Sequence, residues 1–210
     1  MVQIIKVVIL VLLGAGLAIL YIKKAKPVNK LVLRLIIVVT VMLVTVAGTF
    51  PAEAGLLTFS TPQKAYYYKH ANKISAVVEG EESAYILSVR GGTKSGVVIP
   101  KEGQRYRVDR QFGYIWKSDY IPSTLTSLNI FNPPGSSDYY VVTTQTLQSV
   151  DDKYIAVRDS RGSKFEFIDS GRNMICLAYV KGPLIDYQLI QGDEVIPIDW
   201  ENMRMLGRMF

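Results

Sequence analysis

The sequence predicts an N-terminal transmembrane helical hairpin followed by a mainly β outer domain, sandwich or barrel-like in two β-rich halves, with one short helix. Three observations carry this expectation. Long uncharged apolar runs crowd the first fifty residues, basic residues outnumber acidic ones only there, and beyond Asn72 the pattern changes to β-forming residues broken by turn residues. Of the 24 Lys and Arg, six (Lys6, Lys23, Lys24, Lys26, Lys30 and Arg34) lie in that first stretch, which holds no Asp or Glu. The rest of the chain is balanced at 18 basic and 18 acidic groups. The net charge of +6 therefore reads as membrane topology and not as a nucleic-acid footprint.

Residues 7–22 are uncharged, and Leu35–Ala52 form a second uncharged run. At 1.5 Å per residue each can cross a hydrocarbon core about 30 Å thick, and a bilayer leaves helices or closed barrels as the structures that satisfy their own backbone. Spans are expected at about 3–22 and 32–52 within a 1–54 membrane segment. Gly14, Gly16, Thr40, Thr45 and Ala47 are small residues that would let two helices approach closely. The loop 23–30 holds Lys23, Lys24, Lys26 and Lys30, with Arg34 just beyond. By the positive-inside rule these five groups keep the loop cytoplasmic, so that the expected protein is a two-pass cell-membrane protein with its N-terminus and C-terminal domain outside. A competing reading takes Ala52-Glu53-Ala54-Gly55 as a small-x-small signal-peptidase site, with cleavage at Ala54-Gly55 releasing the outer domain.

The outer domain opens with a helix signal. Thr61 can cap, Pro62 suits the first helical position, and Gln63–His70 contain no breaker. Residues 55–117 are expected to hold this helix and the first β half. Its strands are Ile74–Val78 and Ala84–Val89 around the turn Glu79-Gly80-Glu81-Glu82-Ser83, then a half-buried strand or bent pair over Gln104–Trp116. In that last stretch Tyr106, Val108, Phe112, Tyr114 and Trp116 alternate with Arg105, Arg107, Asp109, Gln111 and Lys117, one face inward and one wet.

Residues 118–138, with Pro122, Pro133, Pro134 and Gly135, read as a Pro-rich loop between the halves. The second half, 139–199, offers strands at Tyr139–Leu147, Tyr154–Arg158, Lys164–Ile168, Met174–Val180, Tyr187–Ile190 and Val195–Ile198. Residues 200–210 would form a short closing helix or a tail. Laid over each other at an offset of 80, Lys73–Gly103 and Lys153–Pro183 share six identities, among them Gly91/Gly171, which suggests an internal repeat or the shared chemistry of two hairpins.

Little chemistry is declared. The chain has one histidine, His70, and one cysteine, Cys176, so Cys/His zinc clusters and an internal disulfide are excluded. His70 ends the predicted helix, where an imidazolium would complement the dipole, and Cys176 lies in an apolar strand as a small buried hydrophobe. The acidic groups Glu79-Glu81-Glu82 and Asp151-Asp152 read as turn charge, with neither the spacing of a calcium loop nor an S-x-x-K motif nearby. No catalytic, cofactor-binding or metal-binding residue is expected. Arg105, Arg107 and Arg110 around Tyr106 form a candidate interaction surface for an anionic envelope polymer. The neutral outer domain lacks the long-range field that a nucleic-acid binder uses.

The stretches Thr61-Pro62-Gln63-Lys64-Ala65-Tyr66 and Val77-Val78-Glu79-Gly80-Glu81-Glu82-Ser83-Ala84-Tyr85 resemble the opening of uncharacterised membrane-anchored extracytoplasmic proteins of Gram-positive bacteria, in which a T-P-x-x-A helix precedes an acidic-Gly hairpin. The resemblance implies a cell-envelope protein and supplies no catalytic residues. The expected function is a membrane-anchored extracytoplasmic binding or interaction module, non-enzymatic, partnered by the membrane and by an envelope protein or anionic envelope polymer. The alternatives are a membrane-tethered envelope hydrolase using carboxylates and a subunit of a larger membrane complex.

Overall fold

The computed structural model describes residues 2–24, 29–49, 57–107, 114–147 and 154–209, and the chain divides into two compact units, Met1–Leu57 and Thr58–Phe210. The first unit contains α1 (Val2–Lys24) and α2 (Lys30–Thr49). Over Val7–Lys24, α1 is long and apolar enough to cross a membrane. The two helices run antiparallel: Gly14 is buried against Thr40, where a Cβ would overlap the threonine side chain, and further along the Tyr21 hydroxyl accepts the Asn29 amide at 3.2 Å. Small size at Gly14 is thus what brings the backbones together. Within α2, Thr40 donates to Ile36 O (2.7 Å) and Thr45 to Val41 O (2.9 Å).

Asn29 begins α2, its side-chain oxygen accepting the Leu31 amide at 2.9 Å. The connecting loop is accordingly shorter than 23–30. Lys23 and Lys24 complete the last turn of α1, where cations complement the helix dipole, and Lys30 and Arg34 lie at the start of α2. Lys26 and Ala52-Glu53-Ala54-Gly55 fall outside the described residues.

The second unit is mainly β, in three antiparallel sheets. The first sheet has five strands in the order β1 (Thr58–Phe59), β5 (Arg105–Arg107), β4 (Thr93–Glu102), β3 (Ser83–Arg90), β2 (Ala76–Glu79). The second has six: β10 (Glu166–Ser170), β11 (Asn173–Lys181), β8 (Asp138–Thr146), β7 (Thr126–Asn132), β6 (Tyr114–Ile121), β14 (Arg204–Met209). The third joins β13 (Glu194–Pro197), β12 (Gln188–Gln191) and β9 (Val157–Asp159). The helix α3 (Pro62–Lys69) starts as its sequence predicts, with Thr61 accepting the Lys64 amide at 3.3 Å and Pro62 in the first turn.

Three apolar clusters stack these elements. Ala65 and Tyr66 of α3 meet Ala84, Ile86, Ile99 and Tyr106 on one face of the five-stranded sheet. Its other face, through Tyr85, Leu87 and Val98, meets Phe131, Tyr140, Val142, Ile175 and Leu177 of the six-stranded sheet. The opposite face of that sheet, through Leu128, Ile130, Val141, Cys176 and Ala178, meets Val157, Leu184, Tyr187 and Leu189 at the three-stranded sheet. A sheet buried on both faces needs apolar residues at successive positions, which is why Tyr140–Val142 and Ile175–Ala178 carry no alternation.

This arrangement corrects three expectations. Residues 118–138 are not a linker: Pro122–Thr124 make a single 3₁₀ turn between β6 and β7, and Pro133 and Gly135 fall between β7 and β8. The prolines flank strands whose interiors they would disrupt. The β-rich halves are not separate, since the six-stranded sheet takes strands from 114–132, 138–146 and beyond 166. The expected closing helix or tail over 200–210 is instead a strand at Arg204–Met209, since β14 pairs with β6, Arg204 opposite Ser118.

The two segments of the suggested repeat share a hairpin with left-handed glycines in matching positions, Gly91 (φ 55°) and Gly171 (φ 70°). Beyond the hairpins they diverge, as β2 adds to β3 whereas β9 joins the third sheet.

Candidate functional site

The expected basic surface is taken up by structural contacts. Arg105 donates from Nη2 to Thr58 O at 3.1 Å, and Arg107 pairs with Glu102 at 2.5 Å. Tyr106 is buried, 3% exposed, so it is a core residue and not part of a surface. Its hydroxyl donates to Glu79 at 2.5 Å, and burial, reinforced by that carboxylate, raises its pKa. Arg110 lies outside the described residues, as do Asp151 and Asp152.

The acidic turn is a latch between sheets. The buried Asp138 carboxylate accepts the amides of Glu81 (3.2 Å) and Glu82 (2.9 Å) and the Ser83 hydroxyl (2.7 Å). Glu81 pairs with Lys181 at 2.8 Å and Glu82 accepts the Ser137 amide at 3.2 Å. Turn charge was legible in the sequence, but the partner carboxylate, more than fifty positions away, was not. His70 caps α3 and stacks on Tyr66 with ring centroids 4.7 Å apart. Desolvation, aided by Lys69, lowers its pKa, which works against the expected imidazolium–dipole interaction. Cys176 is buried and free, as expected of a small hydrophobe.

An open cleft of about 610 Å³ lies beside the three-stranded sheet. Tyr139 and Trp200 stand edge to face in it, centroids 5.3 Å apart at 90°. Behind Trp200 is a cation that the alternating pattern placed on a wet face. Lys117 is only 8% exposed, and its ammonium donates to Trp200 O (2.5 Å) and Glu201 O (3.1 Å) while lying 4.6 Å from the indole centroid. Burial of the stem and satisfaction of the head by carbonyls and a π face let a lysine occupy this position. It fixes the backbone and the ring of Trp200 together.

The other wall, 183–188, is held by Arg161, whose guanidinium donates to Lys181 O, to Pro183 O at 2.6 Å and to Ile185 O at 3.2 Å. Arg161 itself follows a turn that the Asp159 carboxylate organises by accepting the Arg161 and Ser163 amides at 3.1 and 2.8 Å. In that wall Asp186 adopts a left-handed conformation (φ 54°), uncommon for a residue with a Cβ. Against known protein families, curated proteins and solved structures, the chain matches none.

Asp186, Asp199 and Glu201 also line this cleft. Asn202, through side-chain and backbone hydrogen bonds, lowers the Asp199 pKa. The cleft therefore offers two aromatic faces and acidic groups, a combination suited to a neutral or cationic polar ligand. Nothing in the local sequence announced it, because Trp200 and Lys117 are far apart in the chain and neither belongs to a recognisable motif.

Proposed function

We propose that this chain is a membrane-anchored extracytoplasmic binding module of the cell envelope. In this reading α1 and α2 cross the membrane with the basic loop in the cytoplasm, and the β unit stands outside. Support comes from the apolar sequence of α1, from Lys23, Lys24, Lys30 and Arg34 at the connected ends of the helices, and from exposed apolar side chains such as Leu12 (66% exposed) and Met42 (67%). Cleavage as a signal sequence is the competing fate of the first unit.

The observation that carries a binding role is the Tyr139–Trp200 cleft, whose aromatic floor is pre-set by the buried Lys117. Pre-organised aromatic faces lose little conformational entropy on binding. The acidic rim disfavours an anionic polymer in this cleft and favours a neutral or cationic segment of an envelope component or partner protein. A photocrosslinker at the exposed Ile185, in the intact protein in its native membrane, tests the assignment. A discrete crosslinked species that disappears with Trp200→Ala, without loss of membrane association, is expected; an unchanged species in W200A would overturn the reading.

The three carboxylates favour, as a second reading, a tethered hydrolase. General-acid work needs a carboxyl pKa raised towards neutrality, which is opposite to the direction found at Asp199. Turnover of an envelope polymer that D186N or E201Q abolishes would favour the hydrolase over the binding module.

A further inference from the structure

A second cavity, of about 290 Å³, opens between the five- and six-stranded sheets, away from the residues of the Trp200 cleft. Its walls are aromatic. Tyr85 and Phe131 have centroids 4.9 Å apart, Trp116 stacks on Phe131 at 5.7 Å, and Tyr114 meets Phe131 edge-on at 5.6 Å. Several of these rings are held by hydrogen bonds at their rims: Trp116 Nε1 donates to Asn129 Oδ1 (2.9 Å) and the Tyr114 hydroxyl to Gly96 O (3.1 Å). Gly96 has no room for a side chain, since a Cβ would overlap the Tyr85 ring that lies over it. The cavity is thus built from pinned side chains, and it is large enough for one ring with small substituents.

Two polar groups in its lining have no polar partner among the described residues. Thr144 is 4% exposed, and among the described residues its hydroxyl has no hydrogen-bond partner. A buried hydroxyl without a partner is costly, so its place in a largely apolar wall points to something that fills the cavity and bonds to it. At the rim stands Lys94, with no carboxylate partner among the described residues; partial desolvation lowers its pKa, as expected of an ammonium beside an apolar opening. Among the described residues that line the cavity there is no Asp or Glu, in contrast to the Trp200 cleft. A cation at the mouth of an aromatic slot, with no acidic neighbour among the described lining residues, selects an anion on a flat apolar body.

We propose that this cavity binds a small aromatic carboxylate, its ring seated among Tyr85, Trp116 and Phe131, its carboxylate paired with Lys94 and a ring hydroxyl hydrogen-bonded to Thr144. The site is independent of the Trp200 cleft and of the reading attached to it.

Ligand-observed NMR titrations of the full chain in lipid nanodiscs, with 4-hydroxybenzoate, benzoate and phenol as probes, test the assignment. Saturable binding is expected in the order 4-hydroxybenzoate, benzoate, phenol, and it should survive Trp200→Ala. Lys94→Met, at an exposed position that folding does not use, should weaken both acids about three- to fivefold and leave phenol unchanged, the range set by a solvent-screened ion pair. Thr144→Val, nearly isosteric, should reduce 4-hydroxybenzoate to the affinity of benzoate, with unchanged circular dichroism. Absence of saturable binding to the wild-type chain, equal losses for phenol and the acids in K94M, or loss of binding in W200A would each overturn the proposal.

Discussion

The Asp138 carboxylate occupies the space that a side chain at Gly80 would need. A Cβ there would lie 2.5 Å from Asp138 Oδ2 and 2.8 Å from the Tyr140 hydroxyl, which itself hydrogen-bonds Ser83 Oγ at 2.8 Å. The bare turn and the carboxylate form one unit that joins the end of β2 to the six-stranded sheet.

Substitution on either side of this contact should therefore be costly. Asp138→Asn replaces an acceptor-only group by one that must present N–H to at least one of its donors. Urea unfolding of the full chain in detergent is expected to show a loss of about 2–3 kcal/mol, and Gly80→Ala a loss of at least about 1 kcal/mol from overlap. Wild-type midpoints in both variants would show that the latch contributes nothing to stability.

His70 gives a pH dependence with a defined sign. Its folded pKa lies below the ordinary value of 6.5, so between 6.5 and that lower value the unfolded chain binds more protons than the folded one. Its contribution is fully present above pH 6.5 and is lost as pH falls through the folded pKa. Because this is the chain's only histidine, the window below 6.5 is nearly free of other titrations. His70→Asn should flatten the stability–pH curve there, measured by thermal melts from pH 5 to 7; an unaltered slope would refute the assignment.

Lys117→Met keeps the apolar stem and removes three donors. Trp200 O and Glu201 O lose their partner, and the ring loses its cation. A destabilisation of about 1–2 kcal/mol is expected, with faster amide exchange along β14 and a change in tryptophan emission. Emission and exchange identical to wild type would mean that Trp200 is held by something else.

Gly14 sets the approach of α1 and α2. Gly14→Leu should reduce disulfide formation between cysteines placed at Leu10 and Leu43, which share an interhelical groove, in a Cys176→Ser background. Shrinking the opposing residue with Thr40→Ala should restore crosslinking in Gly14→Ala. Equal yields in every variant would place the helix contact elsewhere.

What could be read in the sequence follows from how local each determinant is. The start of α3 was legible because Thr61 and Pro62 act within one turn, and β3, β8 and β11 because long runs of β-formers survive any context. β4 was missed because Gly96 and Pro100 interrupt it. The glycine is required by the Tyr85 ring above it, and the proline sits opposite Ser83 at a position that only the pairing reveals. β6, β7 and β14 were obscured by flanking prolines and by an ending whose partner strand lies far back in the chain. Lys117 was misassigned because period two gives a face but not what covers it, and that face is covered by Trp200. Arg105 and Arg107 were read as free because their acceptors, Thr58 O and Glu102, become neighbours only once β1, β5 and β4 pair.

Two edge pairings of the β unit, β1 with β5 and β6 with β14, join segments that are distant in the chain, Thr58 opposite Arg107 and Ser118 opposite Arg204. Long loop closures of this kind precede their energetic return, so assembly of the unit is governed by chain diffusion more than by local propensity. If α1 and α2 anchor the chain in a membrane, as proposed, a nascent chain would have its strands gathered near one point while this search proceeds, so that the anchor would serve folding before it served location.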